Sequence, residues 1–377
     1  MSPGFVHLRL HTEYSLIDSV VRVPQLIAAV AAAGMPAVAV TDQHNLFAMV
    51  KFYREALKAG VKPLVGVDLL VREEGERQPP TRLTLLCQSQ AGYRNLARLL
   101  TRAYLEGPER GRPRIERHWL TAAGLGDLIA LSGALEGDIG RALVNARERD
   151  AERALDAWLA LFPGRFYLEL QRLGRPFEEA YIASAIALAS RRDTPVVATN
   201  DVRFLAPAEF ESHEARVCIG DGALLADPAR VRRYSRQQYL RTPQEMAALF
   251  ADVPEALANS VQIARRCSLV LTLGEARLPQ YPLPADVSTE QITGQPVLQI
   301  QIKQDEIARA VMSEARRYPG QERKVIDFYQ NSPDALARVR APLYEDKVVD
   351  YILDTAKVTE RKISPEQFAE ELKQDEI

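Results

Sequence analysis

Side chains that could bind a metal ion or act on a phosphate group stand at the ends of short apolar stretches. His11, Asp42 and Asp201 each follow such a stretch within two residues. Imidazole and carboxylate groups are usual ligands of divalent metal ions. Taken singly, however, a histidine is more often packed and hydrogen-bonded, and an aspartate at a strand end more often caps a turn. A functional interpretation therefore depends on a fold that brings these residues together.

The first two hundred residues repeat one pattern, in which an apolar stretch precedes a stretch of helical periodicity. This alternation predicts right-handed βαβ units and a parallel sheet. The seven predicted strands favour a closed or nearly closed barrel over an open sheet, and they span 6–10, 37–40, 63–71, 83–87, 128–131, 166–170 and 196–199. Functional groups of such barrels gather at the carboxyl ends of the strands. The residues expected on that rim are His11, Asp42, Asp68, Ser132, Glu169 and Asp201.

Composition and short motifs exclude several classes of protein. The 377 residues carry 48 basic and 50 acidic side chains, which argues against a strongly basic nucleic-acid-binding protein. Three scattered cysteines do not form a disulfide scaffold or a CxxC zinc site. Neither glycine-rich nucleotide-binding loop occurs, and no apolar run reaches the length of a membrane span. We therefore expect a cytoplasmic protein without a membrane partner.

The chain changes character near residue 295. Of the 20 glycines, 19 precede Gln295, and only Gly320 follows it. The last part has apolar residues at helical spacing, which predicts an all-α segment. We accordingly expect an α/β domain over 1–284, a linker over 285–299 and a helical segment over 300–377.

Five segments identify the first part more closely, namely residues 7–15, 39–46, 60–68, 91–96 and 196–204. In order and spacing they resemble the PHP (polymerase and histidinol phosphatase) domain that begins the alpha subunits of bacterial replicative polymerases. The resemblance covers about residues 5–284. It implies an α/β fold, a distorted PHP-type (β/α)7 barrel with parallel strands.

Active members of the PHP family hold metal ions in the barrel mouth and hydrolyse phosphoesters. Of the metal-site positions, four keep a possible ligand: His11, Asp42, Asp68 and Asp201. Six have lost it: Arg9, Gln43, Arg82, Ala134, Leu173 and Arg203. Arginine is always protonated and is a poor metal ligand. The resemblance therefore implies a vestigial site with no catalytic residue and no metal or other cofactor, whose three arginines pair with Asp42, Asp68 and Asp201.

One histidine leaves an alternative open. His44 lies one place after the family's ligand position, where the family has glycine, and it could recruit a metal in a shifted geometry. Zinc, manganese or magnesium would then support a metal-dependent phosphoesterase or 3′–5′ exonuclease.

The last segment, about residues 300–372, resembles the C-terminal domain of trigger factor, a ribosome-associated chaperone. Its motifs carry no catalytic side chains, and the prolyl isomerase and ribosome-binding domains have no match. This resemblance implies a helical arm with apolar faces that could bind unfolded polypeptide. Two ancestries in one chain predict a fusion protein.

The function implied for the first part is a catalytically degenerate scaffold in DNA replication. The resemblance implies docking of the proofreading exonuclease epsilon subunit and contact with the remainder of the polymerase alpha subunit. Contact with DNA is expected to be weak or indirect. The parent family is a DNA-directed DNA polymerase, a nucleotidyltransferase, but no polymerase palm is found here, so this chain alone is not expected to polymerise DNA.

Overall fold

The computed structural model describes residues 4–73, 79–107, 113–227, 229–274, 304–318, 320–332 and 335–340, with 342, 343, 347 and 349. The chain divides into two units, Met1–Glu275 and Ala276–Ile377. The predicted linker at 285–299 lies outside the described residues. The predicted domain boundaries stay predictions.

Within the described part of the first unit, seven strands form one curved sheet in the order β1-β2-β3-β5-β6-β7, and β4 pairs with β2 off this path. The strands are β1 (Ala37–Val40), β2 (Lys62–Arg72), β3 (Thr81–Cys87), β4 (Ile115–Glu116), β5 (Leu128–Leu131), β6 (Phe166–Leu170) and β7 (Val196–Ala198). Most neighbouring strands run parallel. The predicted α/β barrel class is confirmed.

The expectation of an entirely parallel sheet is wrong at β3. This strand runs antiparallel to β2, with Asp68 opposite Thr84, and antiparallel to β5, with Leu86 opposite Ile129. The physical reason is the connection between β2 and β3, which is too short to hold the crossover helix that a parallel pair requires.

The predicted first strand, residues 6–10, is also wrong as a strand, because only Leu10 forms an isolated bridge. The segment nevertheless hydrogen-bonds on both sides. Leu10 accepts from the Thr41 amide at 2.8 Å, next to β1, and the His11 amide donates to Val202 at 3.0 Å, just after β7. These hydrogen bonds do not continue into a regular ladder. The segment therefore lies between the two edges of the sheet, beside β1 on one side and the end of β7 on the other.

Helices pack around this sheet. They are α1 (Val23–Ala32), α2 (Met49–Lys58), α3 (Gln90–Glu106), α4 (Asp138–Val144), α5 (Glu148–Leu161), α6 (Glu178–Arg191), α7 (Phe210–Asp221), α8 (Pro243–Leu249) and α9 (Pro254–Arg266). The start of α3 follows from Ser89, whose hydroxyl accepts from the Ala91 amide at 3.1 Å and so satisfies a free helix donor. The core between helices and sheet is apolar, and Leu85, Leu96 and Trp158 are buried there.

The described part of the second unit is helical, as predicted, with α10 (Gln304–Ala315) and α11 (Glu322–Asn331). Val311 and Ala315 of α10 are buried. No helix in the described ranges of either unit is long and apolar enough to cross a membrane.

Candidate functional site

Charged side chains of both signs meet at one end of the sheet. They come from the carboxyl ends of the parallel strands, the amino end of antiparallel β3, the N-terminal segment and the loops between them. Among the described residues the cluster contains four arginines, five carboxylates and one histidine: Arg9, Arg82, Arg175, Arg203, Asp18, Asp68, Glu136, Glu169, Asp201 and His11. We call this set the mouth cluster.

Arg9 lies at the centre of the mouth cluster and is 1% exposed. Its Nη2 is 3.1 Å from Asp68 Oδ2, its Nη1 is 3.3 Å from Glu169 Oε2, and its Nε is 3.3 Å from Asp201 Oδ1. Burial acts to lower the pKa of Arg9, but Asp201 and Asp68 outweigh burial and raise it. Arg9 is therefore a permanent cation that joins β2, β6 and the loop after β7.

Four donor groups surround the carboxylate of Asp68. Its Oδ2 is 2.6 Å from Arg82 Nη1 and 3.1 Å from both Arg9 Nη2 and His11 Nε2. Its Oδ1 accepts from the Thr84 hydroxyl at 3.3 Å. Burial alone would raise the pKa of Asp68, but Arg9 and Arg82 outweigh it and hold that pKa well below the ordinary range.

Arg203 neutralises the other side of the cluster. Its Nη2 is 2.8 Å from Asp201 Oδ1, and its Nη1 donates to Asp18 Oδ2. The same Nη1 is 2.7 Å from His11 Nδ1. His11 Nδ1 is also 3.2 Å from Asp18 Oδ1. Burial and Arg203 act to lower the pKa of His11, but Asp18 and Asp68 outweigh them and raise it above the ordinary value. Burial would raise the pKa of Asp18 and Asp201, but Arg203 contributes most to holding both below the ordinary range.

The expected pairing of Asp42 with an arginine is wrong. Asp42 Oδ1 accepts from the Thr12 amide at 2.6 Å and the Ser15 hydroxyl at 2.7 Å, and Oδ2 accepts from the Thr12 hydroxyl at 2.7 Å. A short 3-10 turn over Glu13–Ser15 places these donors beside the carboxylate. Burial raises the pKa of Asp42, although His11 and these hydrogen bonds act to lower it. Asp42 anchors the loop after the N-terminal segment.

His44 uses its ring nitrogen on the backbone. Nε2 accepts from the Leu70 amide at 3.0 Å, and burial lowers the pKa of His44 to about 4. The hydrogen bond leaves the proton on Nδ1, so neither nitrogen has a lone pair free for a metal. His44 has a φ of 55°, in the left-handed region where glycine is the usual residue. Gln43 beside it is half-buried, and the backbone amide of Gln43 donates to the Ser15 hydroxyl.

Ala134 and Leu173 are buried apolar residues and offer no ligand atom in their side chains. Leu173 contributes only backbone atoms, its amide donating to Glu178 Oε2 at 2.7 Å. Every predicted site residue is thereby placed. The mouth cluster gathers Arg9, His11, Asp68, Arg82, Asp201 and Arg203, whereas Asp42, Gln43, Ala134 and Leu173 do not join its ion pairs.

Three members of the mouth cluster were missed from sequence. Glu136 pairs with Arg82 and lies 3.3 Å from Arg175, whose Nη2 is 3.8 Å from Asp201 Oδ2. Asp18 pairs with Arg203. Asp18 and Arg175 come from loops and Glu136 from a single 3-10 turn, where side chains follow no extended periodic pattern. The available signal was proximity, since Glu136 and Arg175 each stand two residues after a lost ligand position.

The donor set does not fit a metal centre. In the described ranges of the chain no three His, Cys, Asp or Glu side chains are arranged to hold a metal ion. The oxygens of Asp68 and Asp201 already accept from guanidinium groups, and a divalent ion would stand beside four arginines. The expectation that no metal binds stays a prediction.

Comparison with known proteins shows which families the two parts of the chain resemble. Residues 7–173 match the family model of the PHP domain, and residues 296–354 match the C-terminus of the bacterial trigger factor protein. DNA polymerase III subunit alpha of Pseudomonas aeruginosa is 53% identical over 284 residues, or 75% of this chain and 24% of that protein. The corresponding subunit of Pseudomonas fluorescens is 48% identical over 77% of this chain and 25% of its own length.

The alpha subunit of Escherichia coli K12 is 48% identical over 76% of this chain and 25% of its own length. Among solved structures, an amidohydrolase from Chromobacterium violaceum aligns with 14% identity and a TM-score of 0.40 over 56% of this chain and 97% of that chain. The chain spans about a quarter of the length of the curated relatives named here. Its first three quarters are homologous to the N-terminal, PHP-containing region of DNA polymerase III alpha subunits, and its last segment matches the trigger factor C-terminus.

Proposed function

We propose that the first unit is a catalytically degenerate PHP domain that serves as a scaffold in the replicative polymerase. The observation that carries this proposal is the position of Arg9, whose guanidinium contacts three carboxylates at the place where the family binds metal ions. A guanidinium cannot activate water or give up its charge at physiological pH. The cluster then holds the barrel together and performs no hydrolysis.

Metal analysis combined with a hydrolysis assay tests the loss of catalysis. The purified full chain is incubated with zinc or manganese, dialysed and analysed for metal, and its hydrolysis of p-nitrophenyl phosphate is measured. We expect substoichiometric metal and only the background rate. The matched control is Asp68→Asn, because a rate that is equal in both proteins comes from a contaminant. Stoichiometric metal, or a metal-dependent rate that Asp68→Asn abolishes, would instead establish the phosphoesterase alternative.

The scaffold proposal also includes a partner. The relatives are named as the alpha subunit of DNA polymerase III, so a role within a multisubunit polymerase is supported. We infer that the partner docked by this domain is the proofreading exonuclease epsilon subunit, with the rest of the alpha subunit as a second neighbour. Calorimetric titration of the full chain with that exonuclease should give saturable binding with one partner per chain. The absence of binding at high micromolar concentration would reject the docking role.

The second unit supports a separate candidate, chaperone-like binding of unfolded polypeptide. Met312, Tyr318 and Phe328 are each more than half exposed on or beside α10 and α11. Exposed apolar side chains are the groups that such binding would use. Suppression of aggregation of a denatured client by the full chain, weakened by Met312→Ser with Phe328→Ser, is the expected result. Equal suppression by the double variant would reject this role.

Because the chain matches only about a quarter of the length of these relatives, polymerase activity is not assigned to it. Its place in the cytoplasm and its origin as a fusion remain predictions.

A further inference from the structure

A row of cations lies on the outer face of α3. Arg94, Arg98 and Arg102 occur at four-residue intervals, and all three are exposed. Four residues advance a helix by about 6 Å, so the row follows one side of the helix. Arg102 pairs with Glu106 at 2.7 Å, whereas neither Arg94 nor Arg98 has a carboxylate partner within the described ranges. The row therefore carries net positive charge although the whole chain is nearly neutral.

Beside this row runs a groove of about 250 Å³ between α3 and the turn that follows Trp119. Asn95, Arg98, Arg102 and Trp119 line it, and the described residues of its lining include no Asp or Glu. The Asn95 side-chain amide donates to the Gly126 carbonyl at 3.0 Å. This bond fixes the turn against α3, so the groove is formed before any ligand binds.

Arg102 lies over the Trp119 ring at the edge of the groove. Its guanidinium carbon stands 4.4 Å from the centre of the Trp119 ring, an arrangement in which the cation faces the electron-rich ring. Glu106 fixes the same group from the next turn of the helix. One face of the guanidinium packs on tryptophan, and the side chain is 44% exposed. Nucleobases stack on such guanidinium planes as well as on aromatic rings.

We propose that the groove and the Arg94–Arg98–Arg102 row bind a single strand of nucleic acid. The phosphates contact Arg94 and Arg98, and an unpaired base stacks on Arg102. Charge complementarity selects a polyanion, and the stacking plane favours an exposed base over a duplex, whose bases are already stacked. This site lies apart from the mouth cluster and does not depend on the scaffold proposal.

The test measures binding of a fluorescein-labelled oligothymidylate to the full chain by anisotropy. Two phosphate contacts to a single strand, one each from Arg94 and Arg98, predict a slope of log K against log salt of about −1.4. Removing both with Arg94→Ala and Arg98→Ala should bring the slope close to zero and weaken binding about tenfold. The matched control is Arg149→Ala with Arg153→Ala, an exposed pair at the same spacing on α5. Equal weakening by the two double variants would overturn the proposal.

A second variant tests the stacking plane. Arg102→Lys keeps the charge but lacks the planar group, so it should weaken binding of the oligothymidylate severalfold and leave binding of inorganic polyphosphate unchanged. Three further results would contradict a single-strand site: parallel loss of both ligands, binding of duplex DNA as tight as that of the single strand, or equally effective competition by oligoglutamate. The last result would identify the groove as a site for an acidic protein segment.

Discussion

Arg9 makes it possible for three carboxylates to share the interior of the barrel. Each carboxylate loses its hydration on burial, and two such groups near each other repel. The attraction of a buried ion pair roughly offsets its own desolvation, so the pairs need not add net stability. Removing one partner is different, because the remaining charges then stand in a medium of low polarity without compensation. The mouth cluster should therefore be most sensitive to loss of its central cation.

The first prediction concerns Arg9→Met, which keeps an unbranched, flexible stem and removes the guanidinium charge. Asp68, Glu169 and Asp201 would then lack their shared partner, and the free energy of unfolding should fall by about 3–5 kcal/mol. Urea unfolding followed by circular dichroism measures this change. Arg153→Met on the exposed face of α5 is the control and should cost less than about 0.5 kcal/mol. A loss at Arg9 as small as at the control would show that the cluster is not a structural centre.

The second prediction is acid sensitivity. Asp18, Asp68 and Asp201 have pKa values held below the ordinary range in the folded state, chiefly because of Arg203, Arg9 and Arg82. A carboxylate with a lowered folded pKa contributes stability above its unfolded pKa, which is about 3.9, and loses it as the pH falls toward the folded pKa. The free energy of unfolding should therefore fall by several kcal/mol between about pH 5 and pH 2.

Urea unfolding at a series of pH values measures this slope. Asp201→Asn removes one of the titrating groups and should give a shallower acid limb, with lower stability at neutral pH because Arg9 and Arg203 lose a partner. Stability that stays constant from neutral pH to pH 3 would contradict the assigned ion pairs.

The site could be predicted in part, and residue chemistry explains where the prediction ends. Arg9, Arg82 and Arg203 face Asp68 and Asp201 because opposite charges at strand ends share one rim. Asp42 differs because it accepts hydrogen bonds from the backbone and hydroxyl donors of a short turn instead of from an arginine. No strand or helix pattern in the sequence specifies such a turn. Asp18 comes from a loop and Glu136 from a single 3-10 turn, so their inward direction could not be derived from periodicity.

At the scale of elements, the short turn after β5 fixes how closely this part of the chain approaches β3. Gly133 lies two residues after the end of β5 and has a φ of 78°. A Cβ atom there would lie 2.3 Å from the Arg82 carbonyl oxygen. Gly164 has a φ of 66°, and a Cβ atom there would meet no atom within 4 Å. The two glycines have the same backbone strain but differ in contact, so they form a matched pair.

The third prediction uses this pair. Gly164→Ala should cost about 1 kcal/mol, the penalty of a left-handed backbone alone. Gly133→Ala should cost about 2 kcal/mol more, because the methyl group collides with the backbone that carries Arg82 into the mouth cluster. Chemical denaturation of the two variants measures the difference. Equal costs would show that β3 can move away from the turn without loss.

The elements themselves show which features a sequence specifies. Strand β1 has its predicted bounds, because its four residues form a clear apolar stretch. The direction of β3 does not follow from its own residues but from the short connection to β2. Residues 6–10 have a strand-like pattern, yet their neighbours on both sides allow only scattered hydrogen bonds. Pairing is a property of the assembled sheet, so a single segment cannot reveal it.

At the scale of the whole molecule, ligand binding and folding are linked. Any ion that binds only the folded chain raises its stability by about 2.7 kcal/mol at a concentration one hundred times its dissociation constant. For a domain the size of the barrel this corresponds to a rise of several degrees in melting temperature. Because the mouth cluster already satisfies its carboxylates with arginines, such an ion would have to displace internal ion pairs before it could bind.

The fourth prediction is therefore that zinc, manganese, magnesium and EDTA each change the melting temperature of the first unit by less than about 1 °C. Differential scanning calorimetry of the full chain measures this, with Asp68→Asn as the control for metal held by other residues. A rise with zinc in both proteins would come from a site elsewhere on the chain. A rise of several degrees that Asp68→Asn removes would mean that Arg9 and Arg82 yield to a metal, and the barrel would then keep a functional PHP centre despite its arginines.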